Sequence, residues 1–396
     1  MTAHLMAAWA QRVLEWAFLV PAIGGSVYAV LCLLAVVRFR MRRPKPLKNS
    51  FSSWPKITVL KPVHGLEKNQ LENLRSACLQ DYPEFQVVFS VQELNDPAIP
   101  LLRQIQAEFG PERVTLAIEN CRAGTNGKIN NMIGGLKHAR HDYLVISDSD
   151  VRLGQDYLKK IIAPLADPDV GCACTLYKAA CADTWFEKLE LLTLNADFMA
   201  NAVFAHVTGA SKFCLGASAA LRRSTLNEIG GLETLADYLV EDYEMGRRIW
   251  DSGKTIAIVP YFIDTMVDLK SASQWWNHQV YWDQNTRAAR PVAFFATAVI
   301  RSTPFAVLYA LVRLGDIIGL AVLAGAIALR MATAAIVLGW GFRDREGLRS
   351  LGLLFPRDLA SLLSWLLAFT KRTTVWRGAE FILTRDGRLV ARGAGS

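Results

Sequence analysis

The sequence predicts a mixed α/β globular domain built on a mostly parallel sheet, tethered by one N-terminal transmembrane helix and followed by a C-terminal membrane region. Three observations carry that expectation. Ala17–Val37 runs 21 residues without a charge. Between about residues 55 and 272, short β-branched runs alternate with stretches of helix length. From Pro291 onward, apolar stretches return. Composition agrees: the 396 residues are 52% hydrophobic and 20% charged, with a mean hydropathy of +0.20. That is too apolar for an ordinary soluble enzyme and too polar for a wholly embedded transporter. Disorder, collagen-like repeats and a small disulfide-stapled scaffold are excluded on the same ground.

The first apolar run is long enough to cross the roughly 30 Å hydrocarbon core as a helix. Only Arg12 precedes it, while Arg38, Arg40, Arg42, Arg43, Lys45 and Lys48 follow. A secretory signal peptide carries its positive charge before a shorter run, so this segment is expected to stay as an uncleaved anchor. The positive-inside rule puts the N-terminus outside and residue 38 onward in the cytoplasm. The net charge of +8 suggests nucleic acid at first sight. No aromatic interleaving or groove-reading motif accompanies the basic cluster, however, and beside a span it reads as a topogenic patch facing anionic lipid. Residues 1–54 are therefore an anchor and a basic linker.

Residues 55–272 read as one domain. Its strands are expected at Ile57–Leu60, Val87–Val91, Val114–Ile118, Tyr143–Ser147 and Thr255–Val259. Helices are expected over Glu67–Gln80, Ala98–Phe109 and Gly127–Arg140, with Leu71, Leu74 and Cys78 on one face of the first. Alternating strands and helices imply a sheet covered on both faces, and ligands of such sheets gather at the carboxyl ends of the strands.

Residues 273–291 hold Trp275, Trp276 and Trp282 ahead of Arg287 and Arg290, which suits either an interfacial anchoring helix or an aromatic wall for a lipid or sugar. In 292–370, Val292–Val312 is interrupted by Arg301, Ile317–Trp340 by Arg330, and Leu351–Phe369 by Pro356, Arg357 and Asp358. A central Arg costs roughly 3 kcal/mol on insertion scales, so these are weaker spans than the first. Two crossings plus a re-entrant or interfacial third segment would return the tail to the cytoplasm, in line with Lys371 and Arg372. Residues 371–396 are expected to form a small hairpin turning at Asp386-Gly387. The seven scattered cysteines include no CxxC pair and the six histidines no HExxH array. Reduced structural thiols are expected, and zinc chemistry is not.

Chemistry concentrates in the acidic residues. Ser147-Asp148-Ser149-Asp150 follows the strongest strand, and residues two apart on an extended segment face one side. The pair reads either as a solvated Asp-rich turn or as a site for Mg²⁺ or Mn²⁺, which bind through one or two carboxylates plus substrate phosphates. Asp96 follows the second strand, and Glu241-Asp242 opens a helix-like segment. Together the three stations are far more specific than any one of them. Gly124-Thr-Asn-Gly-Lys128 adds a loop whose backbone amides and cation suit a phosphate.

At these residues the chain resembles family-2-type GT-A glycosyltransferases, and more closely the ceramide glucosyltransferase-like family (family 21). Five pieces carry the resemblance: Leu94-Asn-Asp96-Pro-Ala98, Gly124–Asn131, Ser147–Asp150, Val240-Glu-Asp242-Tyr-Glu-Met245 and Val375-Trp-Arg-Gly378. It covers roughly residues 57–292 and returns in the tail. It implies a GT-A (Rossmann-like, nucleotide-sugar-binding) domain facing the cytosol. It also implies transfer of glucose from UDP-glucose to the primary hydroxyl of a membrane lipid, ceramide foremost. Bacterial enzymes that glycosylate hopanoids are close relatives, which keeps UDP-N-acetylglucosamine and a hopanoid open as the alternative pair. By the resemblance, Asp96 contacts the uridine part, Lys128 the uridine or phosphate, Asp148 the nucleotide-sugar, and Asp150, with Asp148, the metal. Asp242 corresponds to the catalytic base. The family's (Q/R)xxRW motif falls on His278-Gln-Val-Tyr281-Trp282, where Tyr281 stands in place of the Arg and His278 in the first position. A processive polysaccharide synthase needs more spans than this chain offers, and a catalytically silent nucleotide-binding scaffold is disfavoured by the full set of acidic stations.

Overall fold

The computed structural model describes residues 2–41, 49–370, 373–376, 379–384 and 387–391. Arg42, Arg43, Lys45, Lys48, Lys371, Arg372, Arg377, Gly378 and Asp386 lie outside the described residues, so most of the basic cluster and half of the expected tail turn do too. The chain forms two compact units, each assembled from separate stretches. One comprises Met1–Arg43, Ala182–Gly209 and Leu269–Arg372; the other comprises Pro44–Cys181, Ala210–Asp268 and Thr373–Ser396. Residues 182–209 thus leave the α/β unit for the helical one, and the tail returns to the α/β unit.

The α/β unit holds an eight-stranded sheet: β1 (Ile57–Pro62), β2 (Phe85–Val91), β3 (Val114–Ile118), β4 (Tyr143–Ser147), β5 (Val151–Arg152), β6 (Val170–Ala180), β7 (Ser218–Arg222) and β8 (Thr255–Met266), in the order β3-β2-β1-β4-β7-β6-β8-β5. β1 and β2 are buried along their whole length, as β-branched runs covered on both faces should be. The first four strands in that order are parallel, with Val59 between Val87 and Val145. β7 then runs antiparallel to both β4 and β6, so the sheet is mixed beyond β4. No β-branched run announces β6 or β7. Their small residues, such as Cys172, Ala173, Ala219 and Ala220, are fully or almost fully buried, and their pairing is a product of tertiary context. The order reverses between β1 and β4, which opens a crevice at their carboxyl ends.

The flanking helices are shorter than expected: Gln70–Cys78, Ile99–Phe109 and Gly127–Leu136. The first starts late because Asn69 takes a left-handed conformation, φ 55°. Leu74 and Cys78 are buried as the periodicity requires. The tail forms a separate antiparallel sheet of β9 (Thr373–Trp376), β10 (Ala379–Leu383) and β11 (Leu389–Ala391). Gly387 adopts φ 83° at the turn, a value its lack of a side chain permits.

Among the described residues, three stretches are long and apolar enough to cross a membrane: Leu5–Met41, Ile317–Gly341 and Leu351–Thr370. The apolar stretch Val292–Val312 is covered by two helices, Pro291–Ile300 and Ser302–Val312, bent by 55°, the form of a broken span or a re-entrant segment. Pro304 has no N–H to bond back to the carbonyl of Ile300, so the ladder is interrupted there. Arg301 uses the break to reach Asp283 at 3.4 Å.

The other arginines are also paired. Arg330 reaches Asp197 at 2.7 Å and Asp358 at 2.9 Å, and Arg357 pairs with both aspartates and Thr193. The intramembrane charges therefore neutralise one another and stitch Thr193–Phe198 to Ile317–Ile336 and Leu354–Thr370. Arg330→Met leaves two aspartates with one guanidinium between them. Breaking such a network costs about 3–5 kcal/mol, and a clearly lowered melting temperature in detergent is expected. An unchanged one would show the network to be dispensable.

Candidate active site

β4 ends at Ser147, and the chain turns through Asp148-Ser149-Asp150 into β5. The two aspartates come together through this turn and not, as strand alternation predicts, through an extended segment. Lys61 explains why. It sits at the end of β1, fully buried, and its ammonium donates to the carbonyls of Asp148 (2.5 Å) and Val151 (3.2 Å), drawing both ends of the turn inward. Burial pushes the Lys61 pKa down to about 8, against the pull of Asp150, Asp148 and Glu67.

On β8, the Thr265 hydroxyl donates to Asp150 Oδ2 (3.0 Å), and the Met266 amide donates to the Asp150 carbonyl (3.0 Å). Burial, then the neighbouring Asp148 and Glu67, push the Asp150 carboxyl up to about 7. Burial also raises Asp148, opposed by Lys128.

Lys128 lies in the first turn of the helix Gly127–Leu136. Asn126 caps that helix, its side-chain oxygen accepting from the amides of Lys128 (2.9 Å) and Ile129 (3.1 Å). The same side chain donates to the Tyr238 carbonyl (2.8 Å) and to Glu241 (3.3 Å), which ties this helix start to the next one. From there the Lys128 ammonium bridges Asp148 (2.7 Å) and Glu241 (3.0 Å). Burial opposes its charge, but Asp148 and Glu241 outweigh burial and hold its pKa well above the ordinary value.

Asp242 stands beside that bridge, at the start of the helix Glu241–Asp251, and accepts the Tyr243 amide at 2.8 Å. Burial, then Glu241, push its carboxyl up to about 7, while Lys128 restrains the rise. Gly216 lies against it: a Cβ there would come within 2.4 Å of Asp242 Oδ2. A cavity of about 20 Å³ lined by Lys128, Gly216, Glu241 and Asp242 has room for about one water molecule.

Asp96 is buried after β2. Its carboxylate accepts the Gly65 amide with both oxygens (3.1 and 3.0 Å) and the Ala98 amide (2.8 Å), closing the loop after β1 onto the loop after β2. The loop before Lys128 differs from the phosphate cradle its glycines suggest. The Ala123 and Gly124 amides go to Asn130 Oδ1, the Thr125 amide to Asp237 (2.9 Å), and the Asn126 amide to the Ala236 carbonyl (2.6 Å). Gly124 is there because a Cβ would meet Asp237 and Ala236 within 2.6 Å.

The α/β unit therefore brings together Lys128, Asp148, Asp150 and Asp242. His278, Tyr281 and Trp282 lie on the helix Ala272–Ala289 of the helical unit, where His278 Nδ1 is 3.1 Å from Glu190 and its ring stacks on Tyr281. Lys61, Thr265 and Gly216 have no motif to announce them. A lysine inside an otherwise apolar, two-face-buried strand was the one available signal for Lys61.

The donor set at Asp148–Asp150 fits a divalent cation. It offers hard carboxylate oxygens from two half-buried side chains; desolvation first and then the Asp148 charge lift Asp150, and a cation would offset both. Among the described residues no three His, Cys, Asp or Glu side chains converge to coordinate a metal. Mg²⁺ asks for no more than one or two carboxylates when substrate phosphates and water complete the shell.

A parallel β3-β2-β1-β4 block, an acidic turn at its crevice and a mixed continuation through β7, β6 and β8 define the GT-A glycosyltransferase fold. A mannosyltransferase from Pyrobaculum calidifontis, solved with GDP-Man and Mn²⁺, has that fold. It superposes with a TM-score of 0.53 at 20% identity, over 90% of this chain and 99% of that one. This chain belongs to glycosyl transferase family 21, whose sequence profile matches residues 16–389. Ceramide glucosyltransferase 1 of Caenorhabditis elegans is 26% identical over 249 residues, 61% of this chain and 52% of the relative. A ceramide glucosyltransferase of Candida albicans is 29% identical over 121 residues, 28% of this chain and 22% of the relative. The chain thus spans about half the length, or less, of these curated relatives.

Proposed function

We propose that this protein is a membrane-bound, inverting glycosyltransferase that moves glucose from UDP-glucose to the primary hydroxyl of a lipid, ceramide foremost, giving a β-glucosylceramide. One observation carries the reading: a half-buried carboxyl, Asp242, at the start of the helix Glu241–Asp251, beside the Lys128 bridge between Asp148 and Glu241 and against Gly216. Membership of family 21 and the ceramide glucosyltransferases among its relatives support the proposed substrate class.

A primary alcohol is a weak nucleophile, so a positioned base must take its proton as the new C–O bond forms. Asp242 does this, with its carboxyl pKa near the working pH. The alkoxide character then attacks the anomeric carbon from the face opposite UDP, which converts an α-linked donor to a β-glucoside. Lys128 holds Asp148 and Glu241 in place and keeps their charge from lifting Asp242 further. Asp150 and Asp148 would hold Mg²⁺ or Mn²⁺, which when bound offsets charge on the departing diphosphate. Asp96 shapes the uridine side by fixing the loops after β1 and β2. Arg38 and Arg40, just past the first span, favour the cytoplasmic side of a bacterial inner membrane, where nucleotide sugars are made.

Gly216 gives a graded check on the base. Gly216→Ala must displace the Asp242 carboxylate, and a shift of about 1 Å can cost about 100-fold in rate. A kcat reduced by that order with an unchanged melting temperature is expected, whereas a wild-type kcat would remove Asp242 from the reaction.

The decisive assay incubates purified protein with labelled UDP-glucose, UDP-galactose or UDP-N-acetylglucosamine against ceramide, diacylglycerol and a hopanoid polyol. Glucosylceramide is the expected product. Glycosylation of a soluble acceptor, with no donor reaching any lipid, would sink the reading.

A further inference from the structure

The C-terminal tail makes contacts that the chemistry above does not use. Residues 236–239 connect the short turn Glu233–Leu235 to the catalytic helix, and they are held from two sides. On one side is the loop ahead of Lys128, through the Thr125 amide to Asp237, the Asn126 amide to the Ala236 carbonyl and the Asn126 side chain to the Tyr238 carbonyl. On the other is the tail. The Leu389 amide donates to the Asp237 carbonyl (2.7 Å), the Leu239 amide donates to the Gly387 carbonyl (3.1 Å), and Tyr238 forms an antiparallel bridge with Arg388. The Arg388 guanidinium also lies 5.2 Å from the centre of the Tyr238 ring.

One residue reaches both partners. Leu389 is 2% exposed, its amide holds Asp237, and its carbonyl accepts the Thr125 hydroxyl at 3.1 Å. That hydroxyl is also 3.2 Å from Asp237 Oδ1, so its single proton serves one of two acceptors in the same knot. Thr125 is in the turn that delivers Lys128, and Leu239 is in the turn that delivers Asp242. Leu389 is itself anchored, because β11 pairs with β10 through Leu389 and Leu383.

The geometry points to the tail as a splint: β11 and the Gly387–Leu389 segment lock the Lys128 loop to the Asp242 helix, with Thr125 and the Leu389 backbone as positioning groups. This rests on the proposed glycosyl transfer, since the splint's purpose is to hold the base at a fixed place relative to the Lys128 bridge. None of the tail contacts described above involves Asp96, Lys128, Asp148 or Asp150, so the splint should set turnover and leave UDP affinity alone.

The test compares the full chain, a chain ended after Arg372, Thr125→Val, Thr125→Ser, and truncation combined with Thr125→Val. UDP binding is measured by calorimetry with Mg²⁺, kcat is expressed per UDP-binding site, and amide exchange is followed over residues 123–129 and 236–242. Loss of one hydrogen bond should lower kcat about fivefold for Thr125→Val, and truncation should lower it at least about tenfold. UDP affinity should stay within about twofold, Thr125→Ser should restore turnover, and Thr125→Val should add almost nothing once the tail is gone.

A role in overall stability alone would reduce the number of UDP-binding sites and leave kcat per site unchanged; that result overturns the splint. Fully additive effects overturn it as well. If the truncated chain fails to fold, a wild-type kcat for Thr125→Val overturns the splint, and a lowered kcat rescued by Ser supports it. A wild-type chain that binds no UDP would overturn the glycosyl-transfer reading instead. Amide exchange then decides the splint by itself: faster exchange of Leu239 in the Thr125→Val or truncated chain supports it, and wild-type exchange in both overturns it.

Discussion

Asp242→Asn is expected to reduce glucosyl transfer by about 10²–10⁴-fold, the usual contribution of a positioned base, while UDP still binds. The amide keeps the shape of the side chain and cannot take the acceptor's proton. Wild-type activity should rise with pH through about 7, because the base works only after its carboxyl has lost its proton. In the Asn variant the limb belonging to this group disappears. Stability should move the other way. The native carboxyl, raised from 3.8 to about 7, keeps a proton across a pH window in which the unfolded chain has lost it. The native state therefore loses stability as pH rises through that window. At pH 8 the Asn variant should melt no lower than wild type, and its advantage should shrink toward pH 5. Unaltered product yield would remove Asp242 as the base, and loss of UDP binding would show that the substitution damages the site more broadly.

Lys128→Met should be the most damaging change that leaves every carboxylate in place. Its ammonium bridges Asp148 and Glu241 and restrains Asp242, so its loss leaves a half-buried cluster of like charges. Removing one partner of such a group costs about 3–5 kcal/mol. The melting temperature should fall markedly, more at pH 8 than at pH 6, because protonation relieves the repulsion. In whatever fraction folds, the activity limb should shift above 7, since the charge that lowers the Asp242 pKa is gone. A limb that stays put, measured beside an unchanged melting curve, would mean that the bridge has no hold on Asp242.

Much of this arrangement could be read from local patterns. Ala17–Val37 lies inside the long helix Thr2–Met41, and the β-branched runs became β1, β2, β3, β4 and the first part of β8. Asp148 directly follows β4 and Asp242 lies in the first turn of Glu241–Asp251, as the strand run and the helix-like segment predict, whereas Asp150 takes its place from the turn that Lys61 holds. Helix limits were less legible. Asn69 takes a left-handed conformation that delays the first helix, and the break before Ser302 lets Arg301 meet Asp283, a partner far away in the chain.

Hydropathy and strand runs are properties of adjacent residues, and they were enough to predict an N-terminal apolar helix and an α/β domain. Charge pairing and side-chain burial depend on residues far apart in the chain, and only folding settles them. Folding turned Lys128 toward Asp148 and Glu241, set Lys61 beneath the acidic turn, and paired Arg330 with Asp197 and Asp358. It also carried residues 182–209 into the helical unit and brought the tail back beside Asp237. The physical reason is the range of the forces: periodicity and hydropathy act over a turn or two of chain, whereas the energy of a buried charge depends on whichever partner the fold places within a few ångströms of it.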